Sequence, residues 1–118
     1  MTDAYDLFQK GRGHLRRGMP AQATVSLEKA KKLEPEKASI REALGIAYFR
    51  IQRWAEAELE FRKVLELSPT NDYAHYALGR TLEKQGRSQE ANGNYKLAHS
   101  LKPGTEDYAQ RIRDDLGE

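Results

Sequence analysis

The chain has 118 residues, with 20 lysines and arginines against 18 aspartates and glutamates, and no cysteine. This length suits one compact unit with a core and is too short for two independent domains. The lack of cysteine excludes disulfides, thiol catalysis and cysteine-ligated metal, and the net charge of +2 does not by itself indicate nucleic acid binding.

No part of the sequence has the pattern of a membrane or secretion signal. No segment approaches the roughly 20 apolar residues of a membrane-spanning helix. Residues 1–15 have no basic flank followed by an apolar run, so they do not match a signal peptide. We therefore expect a cytoplasmic protein that does not bind membranes.

The first helix pair is delimited by residues that typically begin or end helices. Residues 4–17 are predicted to form a helix, with Thr2 or Asp3 as its N-terminal cap and Gly18 at its end. Pro20 can occupy the first turn of a second helix, because its missing N–H would have no partner there in any case. A helix-turn-helix unit is the prediction for this part of the chain.

Two further helix pairs follow with the same pattern. A proline comes two residues after the last leucine of each second helix and disfavours helical geometry in the residue before it. Each second helix should therefore end at that leucine. The predicted helices span 38–51, 55–67, 72–85 and 89–101, with turns at Gln52-Arg53 and Gly86.

A period of 34 residues relates the three pairs. Sequence columns that are identical in all copies include Gly11, Gly45 and Gly79; Ala23, Ala57 and Ala91; and Pro35, Pro69 and Pro103. Repeats of this length mark stacked supersecondary units. Since glycine inside a helix costs about 1 kcal/mol relative to alanine, the glycines should permit close helix packing. We expect the alanines to lie opposite them, with Leu27, Phe61 and Tyr95 filling the space beside that contact.

These repeats, 4–37, 38–71 and 72–105, resemble the tetratricopeptide repeat family. The middle copy matches best, with Leu44-Gly45, Tyr48, Ala57, Phe61 and Pro69 at the family positions. The family's first-helix tryptophan is absent, and Leu7, Arg41 and His75 occupy its column. The resemblance implies an all-α, right-handed α-solenoid of three helix-turn-helix repeats within one domain, 1–118.

The last segment is predicted to be a capping helix over 106–116. Thr105 can cap it, and Tyr108, Ile112 and Leu116 recur every fourth residue to give one apolar stripe. A stack of repeats leaves its last pair with an uncovered apolar face, which such a helix would cover. Truncation before this helix should lower the melting temperature, and the cap favours a stack that is complete at this end.

No catalytic or cofactor site is predicted. Residues 13–20 have the glycine spacing of a phosphate loop but lack its Lys and Ser/Thr and a preceding strand. The three histidines lie in different repeat columns without a second ligand one helical turn away, which argues against a metal site. Glu56, Glu58 and Glu60 are expected on a solvated helix face. We predict a chain that is not an enzyme and has no cofactor or metal.

The resemblance implies a concave groove lined by the first helix of each pair, which would receive a peptide. Its residues are aromatic and arginine-rich, the types that anchor interfaces. Carried over by repeat position, they are Tyr5, Phe8, Gln9, Arg12 and Arg16; Ser39, Glu42, Ala43, Ile46, Phe49 and Arg50; and Tyr73, Tyr76, Ala77, Arg80 and Lys84, with Glu83 beside them.

The charge of this predicted groove is uneven. Its five basic residues against two acidic ones give a net charge of +3, while the rest of the chain sums to −1. Such a groove suits a peptide that bears carboxylates and an aliphatic or aromatic anchor. The chain is therefore predicted to be a non-catalytic adaptor or scaffold for a protein or peptide partner.

Other partners are less consistent with the residues. Relatives that bind chaperone C-terminal tails use Lys, Asn, Asn, Lys and Arg, where this chain has Phe8, Arg12, Ala43, Tyr73 and Ala77. We predict no binding of such tails. Nucleic acid binding is disfavoured because basic residues alternate with acidic ones along nearly every helix. The alternative is a structural protein that weakly self-associates through Tyr5 and Phe8 or the outer side of the first pair.

Overall fold

The computed structural model describes residues 2–113, and these residues form seven α-helices and no strand. The first six helices form three pairs, as predicted, and each predicted boundary lies within one residue of the observed one. The helices are α1 (Ala4–Arg16), α2 (Pro20–Leu33), α3 (Ala38–Arg50), α4 (Trp54–Leu67), α5 (Asp72–Lys84), α6 (Ser88–Leu101) and α7 (Glu106–Arg111).

The helices stack in chain order into an elongated α-solenoid of 52 × 24 × 21 Å. Each helix packs against the next, and α1 also contacts α3 directly, as α3 contacts α5. The second helices of successive pairs are joined by long charged side chains, as in the Lys31–Glu60 and Arg62–Glu90 ion pairs. The first helices therefore form one layer, which we call the inner face, and the second helices form the outer face.

In all three pairs, the turn between the two helices has one residue with left-handed backbone, at the same position of the repeat. Gly18 has φ 72°, Gln52 has φ 63° and Gly86 has φ 79°. Glycine adopts this geometry without steric cost, whereas glutamine does not. The middle turn is therefore the strained member of the three.

Within residues 2–113, side-chain hydrogen bonds cap the N-termini of two helices, α1 and α5, and both are the first helix of their pair. The Asp3 carboxylate accepts a hydrogen bond from Asp6 N at 2.9 Å, and the Asn71 side-chain oxygen accepts one from Ala74 N at 3.0 Å. Thr105 lies at the N-cap position of α7, but its side chain makes no capping hydrogen bond. That part of the prediction is wrong, and α7 begins without this support.

The large residue of each second helix, not the alanine, lies against the glycine of its partner helix. A Cβ atom added at Gly11 would lie 2.5 Å from Leu27 Cγ, and one at Gly79 would lie 2.6 Å from Tyr95 Cε1. The alanines are buried in the same core, but the atoms nearest each glycine belong to the bulky side chain. The glycines thus make room for a large side chain, which corrects the expected pairing.

Polar side chains replace the family tryptophan in two repeats by holding the preceding turn. Arg41 Nε donates a hydrogen bond to Pro35 O at 2.9 Å. In the next repeat, His75 Nε2 lies 3.1 Å from Pro69 O, and its Nδ1 lies 3.3 Å from Asn94 Oδ1. Each side chain ties the start of its repeat to the proline turn before it, so the tryptophan column keeps a structural role.

The C-terminal helix is shorter than the predicted 106–116. Helix α7 ends at Arg111, because Ile112 has extended backbone with φ −69° and ψ 132°. The buried side-chain amide of Asn92 donates to Arg113 O at 2.9 Å and accepts from Arg113 N at 2.6 Å, which holds the chain in that extended form. Tyr108 is buried and Ile112 packs on the last core cluster, while Leu116 lies outside the described residues.

Candidate peptide-binding groove

The inner face carries two adjacent clefts that meet at Ile46. The first, the α3–α5 cleft, has a volume of 310 Å³, and the second, the α1–α3 cleft, has a volume of 410 Å³. Ile46, Phe49, Arg50, Phe61, Tyr73, Tyr76, Ala77 and Arg80 line the α3–α5 cleft. Phe8, Arg12, Leu15, Arg16, Ser39, Glu42, Ala43 and Ile46 line the α1–α3 cleft.

A smaller depression of 230 Å³ continues the inner face toward the first turn of α1. Tyr5 and Phe8 line it together with Ser39 and Ile40 of α3. Tyr5 is 66 % exposed and therefore offers an aromatic surface at this end. The three depressions together follow the first helices along the solenoid.

Most of the predicted groove residues line one of these depressions. Gln9 and Lys84 do not; the ammonium of Lys84 lies 5.8 Å from the centre of the Trp54 ring, at the end of α5. Two lining residues of the α1–α3 and α3–α5 clefts were missed, Leu15 and Phe61, and so were Ala4, Glu34, Lys37 and Ile40 of the smaller depression. Leu15 shares a repeat column with Phe49, so the period could have indicated it, whereas Phe61 was interpreted only as core.

An aromatic network builds the α3–α5 cleft. The Phe49 ring meets Trp54 edge-on at 5.0 Å, and Tyr76 lies 6.3 Å from Tyr73 and 5.9 Å from Tyr95, measured between ring centres. Such ring pairs stabilise one another beyond simple area burial. The cleft therefore has walls whose positions are set by the core behind them.

Arg80 is fixed over this wall without an acceptor. Its guanidinium carbon lies 5.1 Å from the centre of the Phe49 ring, a cation–π contact. Its Nε is shielded from solvent, and no acceptor among residues 2–113 lies within hydrogen-bonding distance of it. A shielded donor without a partner costs about 1–3 kcal/mol.

The other basic residues of the predicted groove also lack carboxylate partners. Arg50 Nη1 donates to Leu15 O at 3.0 Å, and Arg12 lies over the Phe8 ring at 5.4 Å. Within residues 2–113, no ion pair forms at any of the five groove cations: Arg12, Arg16, Arg50, Arg80 and Lys84. Their charge remains available to a ligand.

The two predicted groove acids differ. Glu83 accepts a hydrogen bond from Tyr95 Oη at 2.7 Å and pairs with Arg111 at 3.4 Å, so its charge is compensated beside the groove. Glu42 faces the groove and accepts a long 3.4 Å hydrogen bond from the Asn71 amide. Partial burial and the nearby Glu42 carboxylate raise the pKa of Tyr73 above its usual value.

Comparison with known proteins agrees with this geometry. A tetratricopeptide repeat family model matches residues 8–72, and another matches residues 60–91. The chain belongs to the tetratricopeptide repeat family. Domains of this family typically mediate protein–protein interactions, and they are generally non-catalytic.

Three similar proteins illustrate the range of this family. Mouse superkiller complex protein 3 is 31% identical over 111 residues, which are 94% of this chain and 7% of that protein. The crystal structure of MamA superposes with a TM-score of 0.90 at 28% identity, over 92% of this chain and 64% of that one. The first tetratricopeptide repeat domain of Spaghetti (RPAP3), bound to the HSP90 peptide SRMEEVD, superposes with a TM-score of 0.91 at 21% identity, over 98% and 94%.

This tetratricopeptide repeat chain is much shorter than its curated relatives. It spans about 7% of the length of the mouse and human superkiller complex proteins that it matches. The likeness to the RPAP3 domain establishes the shared fold. None of the helices within residues 2–113 is both long and apolar enough to cross a membrane.

Several charged side chains of the outer face of this tetratricopeptide repeat domain form ion pairs between helices. The sequence predicted a solvated face for Glu60, but its side chain is only 6% exposed. That prediction is wrong for Glu60. Its carboxylate accepts from Lys31 Nζ at 2.9 Å and from Arg41 Nη1 at 3.0 Å. Glu60 thus joins three helices from two repeats, and a cation from each repeat makes its burial acceptable.

A second group of ion pairs joins α4 to α6. Glu58 accepts hydrogen bonds from Arg62, Arg87 and Gln85 at 2.8–3.0 Å, and Glu90 pairs with the same two arginines. Burial would raise the pKa of Glu58, but these hydrogen bonds outweigh it and hold the pKa below its usual value. Acidic charge is therefore compensated on the outer face.

The described part of the chain offers no metal site. Across residues 2–113, no three histidine, aspartate or glutamate side chains come together as potential ligands. His14 and His99 each have a shielded Nδ1 without a partner, but they lie in different helices, α1 and α6.

Proposed function

We propose that this domain is an adaptor whose inner face binds an acidic peptide segment of a partner protein. The observation that carries the proposal is the contrast between the two faces. The basic side chains that line the groove lack carboxylate partners, whereas Lys31, Arg62 and Arg87 of the outer face pair with Glu58, Glu60 and Glu90. A ligand carboxylate would gain most on the inner face, where it does not compete with an internal acid.

Aromatic side chains beside these cations support a peptide rather than a small anion. Phe8, Phe49, Tyr73 and Tyr76 line the same clefts as the arginines. Such residues supply large contact areas with few rotatable bonds, which is why they dominate interface energetics. The peptide should therefore bind through both carboxylates and at least one apolar side chain.

The proposal is tested with labelled peptides and two matched variants. Arg12→Ala/Arg50→Ala/Arg80→Ala removes three groove cations, and Lys10→Ala/Lys29→Ala/Lys32→Ala removes three exposed cations elsewhere. Binding of an acidic peptide should weaken by at least about tenfold in the first variant and change little in the second. Equal losses in both variants would mean that overall charge, and not the groove, attracts the peptide.

The chaperone tail is a useful negative probe for the same site. SRMEEVD is the HSP90 peptide bound by the RPAP3 domain. The family resemblance implies charged or amide side chains for binding such tails at positions where this chain has Phe8, Ala43, Tyr73 and Ala77, none of which supplies a charge or an amide. We predict no low-micromolar binding of SRMEEVD, and a dissociation constant in that range would contradict the prediction.

Self-association is the rival role and is measured in the same samples. Lys10 is exposed on α1 at the repeat position where Leu44 and Leu78 are buried in the other pairs. A charged residue at this position makes the uncovered end of the solenoid, at the first helix pair, a poor apolar surface for dimer formation. Light scattering on the wild type should give a monomer; a dimer that persists in the triple arginine variant would favour assembly over peptide binding.

A further inference from the structure

The two clefts of the inner face differ in chemistry, although both belong to one groove. The α3–α5 cleft has a floor of Phe61 and Ala77 with aromatic walls. The α1–α3 cleft places Arg12, Ser39 and Glu42 around its opening. A peptide crossing both would therefore meet an apolar site on one side of Ile46 and a mixed polar site on the other.

Building on the proposed function, we propose that the α3–α5 cleft selects a large apolar side chain with a carboxylate on a neighbouring residue. In this assignment, the cleft takes the apolar side chain and Arg80 binds the carboxylate. The occupant is a segment of a partner protein with this local chemistry, and charge complementarity with the unpaired cations is the basis for choosing it.

The size of the cleft favours one apolar side chain. Its 310 Å³ lies at the lower end of the roughly 300–1,000 Å³ typical of small-molecule pockets. Ala77 creates part of this space, since it is a small residue at the floor and only 5% exposed. A cleft of this size with apolar walls suits a Phe, Leu or Met side chain better than a cofactor.

The state of Arg80 favours a carboxylate beside that side chain. Its guanidinium is already positioned over Phe49, so little conformational freedom is lost when it binds a ligand. Its Nε has no acceptor within residues 2–113. A carboxylate that reached the planar guanidinium could accept two parallel hydrogen bonds, a geometry that lysine cannot offer.

Arg50 lines the same cleft but is less suited to this role. Its Nη1 already donates to Leu15 O, which ties it to the end of α1. It therefore adds positive charge to the cleft while part of its hydrogen-bonding capacity is used. This difference makes Arg80, rather than Arg50, the residue that should determine specificity.

Fluorescence anisotropy with designed peptides tests the assignment. The probe is a labelled peptide of Gly, Ser and Asp with one central Phe flanked by Asp; one control has Ser for Phe, and another has Asn for both flanking Asp. For the wild type, the Ser control should bind at least about tenfold more weakly, as expected for losing a buried aromatic anchor. The Asn control should also bind more weakly.

Variants of the cleft assign these effects to residues. Ala77→Leu fills the floor and should reduce the Phe preference to less than about threefold. If circular dichroism shows that Ala77→Leu does not fold, Ala77→Val replaces it, and the expected reduction of the Phe preference is then smaller. Arg80→Lys keeps the charge and should weaken the Asp probe by about fivefold or more, while the matched Arg17→Lys, at an exposed arginine outside the groove, should change it by less than about twofold.

The outcomes separate this inference from the proposed function. Equal binding of the Phe and Ser peptides, or an unchanged affinity in Arg80→Lys, would overturn the cleft assignment while acidic peptides still bound the groove. Equal binding of the Asp and Asn peptides to the wild type would instead overturn the preference for acidic peptides, and with it the proposal on which this inference depends.

Discussion

Phe61 of α4 packs directly on the backbone of Gly45 in α3. A Cβ atom at Gly45 would lie 2.7 Å from Phe61 Cε1, closer than real Cβ contacts allow. The same relationship recurs sixteen residues apart in the other repeats, between Gly11 and Leu27 and between Gly79 and Tyr95. One large side chain in each pair therefore sets the distance between its two helices.

We predict that Gly45→Ala destabilises the domain. Alanine improves helix propensity by about 1 kcal/mol, but the added Cβ must displace a ring that is only 1% exposed. Overpacking of this kind costs about 1–3 kcal/mol, so the net loss should be up to about 2 kcal/mol in the free energy of unfolding, measured with urea.

Gly93→Ala is the matched control for that substitution. Gly93 lies inside α6, is exposed, and would have no atom within 4 Å of an added Cβ. The change should therefore stabilise the domain by about 0.5–1 kcal/mol. If Gly45→Ala were also stabilising, the close packing against Phe61 would not be a real constraint.

The repeat period explains why the sequence predicted the helices well and one packing contact wrongly. Apolar spacing, turn glycines and terminal prolines are local signals, so they located the helix boundaries to within one residue. Ala57 and Phe61 both recur every 34 residues, however, and a period alone does not say which of two columns faces Gly45. The side chain volume and the helix rotation decide it in three dimensions.

Features that depend on distant side chains were harder to predict. Glu60 belongs to a run of alternating glutamates that is typical of a solvated face, and it is buried only because Lys31 and Arg41 meet it. Ile112 continues an apolar stripe that predicts helix, but Asn92 holds the next residue in extended form. Among the groove residues, the period located the inner face, whereas cleft shape excluded Gln9 and added Leu15.

The turn at Gln52 offers a stabilising substitution. Its φ of 63° matches Gly18 and Gly86 at the same repeat position, but glutamine pays about 1–2 kcal/mol for left-handed backbone. Glycine removes this strain but adds conformational entropy to the unfolded chain, which opposes the gain. We therefore expect Gln52→Gly to raise the free energy of unfolding by about 0.5–1 kcal/mol.

The converse substitution checks this explanation of the turn. Gly86→Ala places a Cβ where no atom lies within 4 Å, so any loss of stability reports backbone strain alone. It should destabilise the domain by about 1 kcal/mol. An unchanged stability in both variants would mean that these turns relax to another backbone geometry.

Loss of the Glu60 carboxylate should be costly. Glu60→Gln leaves the largely buried Arg41 without a carboxylate partner and Lys31 with Glu28 alone, and we expect a loss of about 1–3 kcal/mol in the free energy of unfolding. Glu56→Gln is the control on the same helix, because Glu56 pairs with Arg53 at the surface and should matter little. Similar effects of both substitutions would show that the burial of Glu60 is unimportant.

Tyr108 should determine how firmly α7 is attached. Its hydroxyl donates to Asp72 Oδ2 at 2.7 Å, and its ring lies 5.0 Å from that of Tyr76. Tyr108→Phe should cost about 0.5–1.5 kcal/mol and Tyr108→Ala up to about 3 kcal/mol. Hydrogen exchange should show faster exchange in α5 and α6 in the alanine variant; unchanged exchange there would mean that α7 does not cover this end.

Acid should weaken the domain partly through Glu58. Hydrogen bonds from Gln85, Arg62 and Arg87 outweigh its burial and hold the pKa of Glu58 below its usual value of 4.5. Because the folded state thus binds this proton less readily than the unfolded state, the stabilisation is fully present above that value. It is lost as the pH falls through the folded-state pKa.

Glu58→Gln should therefore be less stable than the wild type at neutral pH, by about 1–2 kcal/mol, since its side chain is largely buried among the two arginines. The difference should shrink as the pH is lowered from about 5 to about 3, because the wild-type carboxylate becomes protonated and loses the same ion pairs. Urea unfolding at several pH values measures this. A difference between the two proteins that stayed constant over the range would mean that the Glu58 charge does not stabilise the link between α4 and α6.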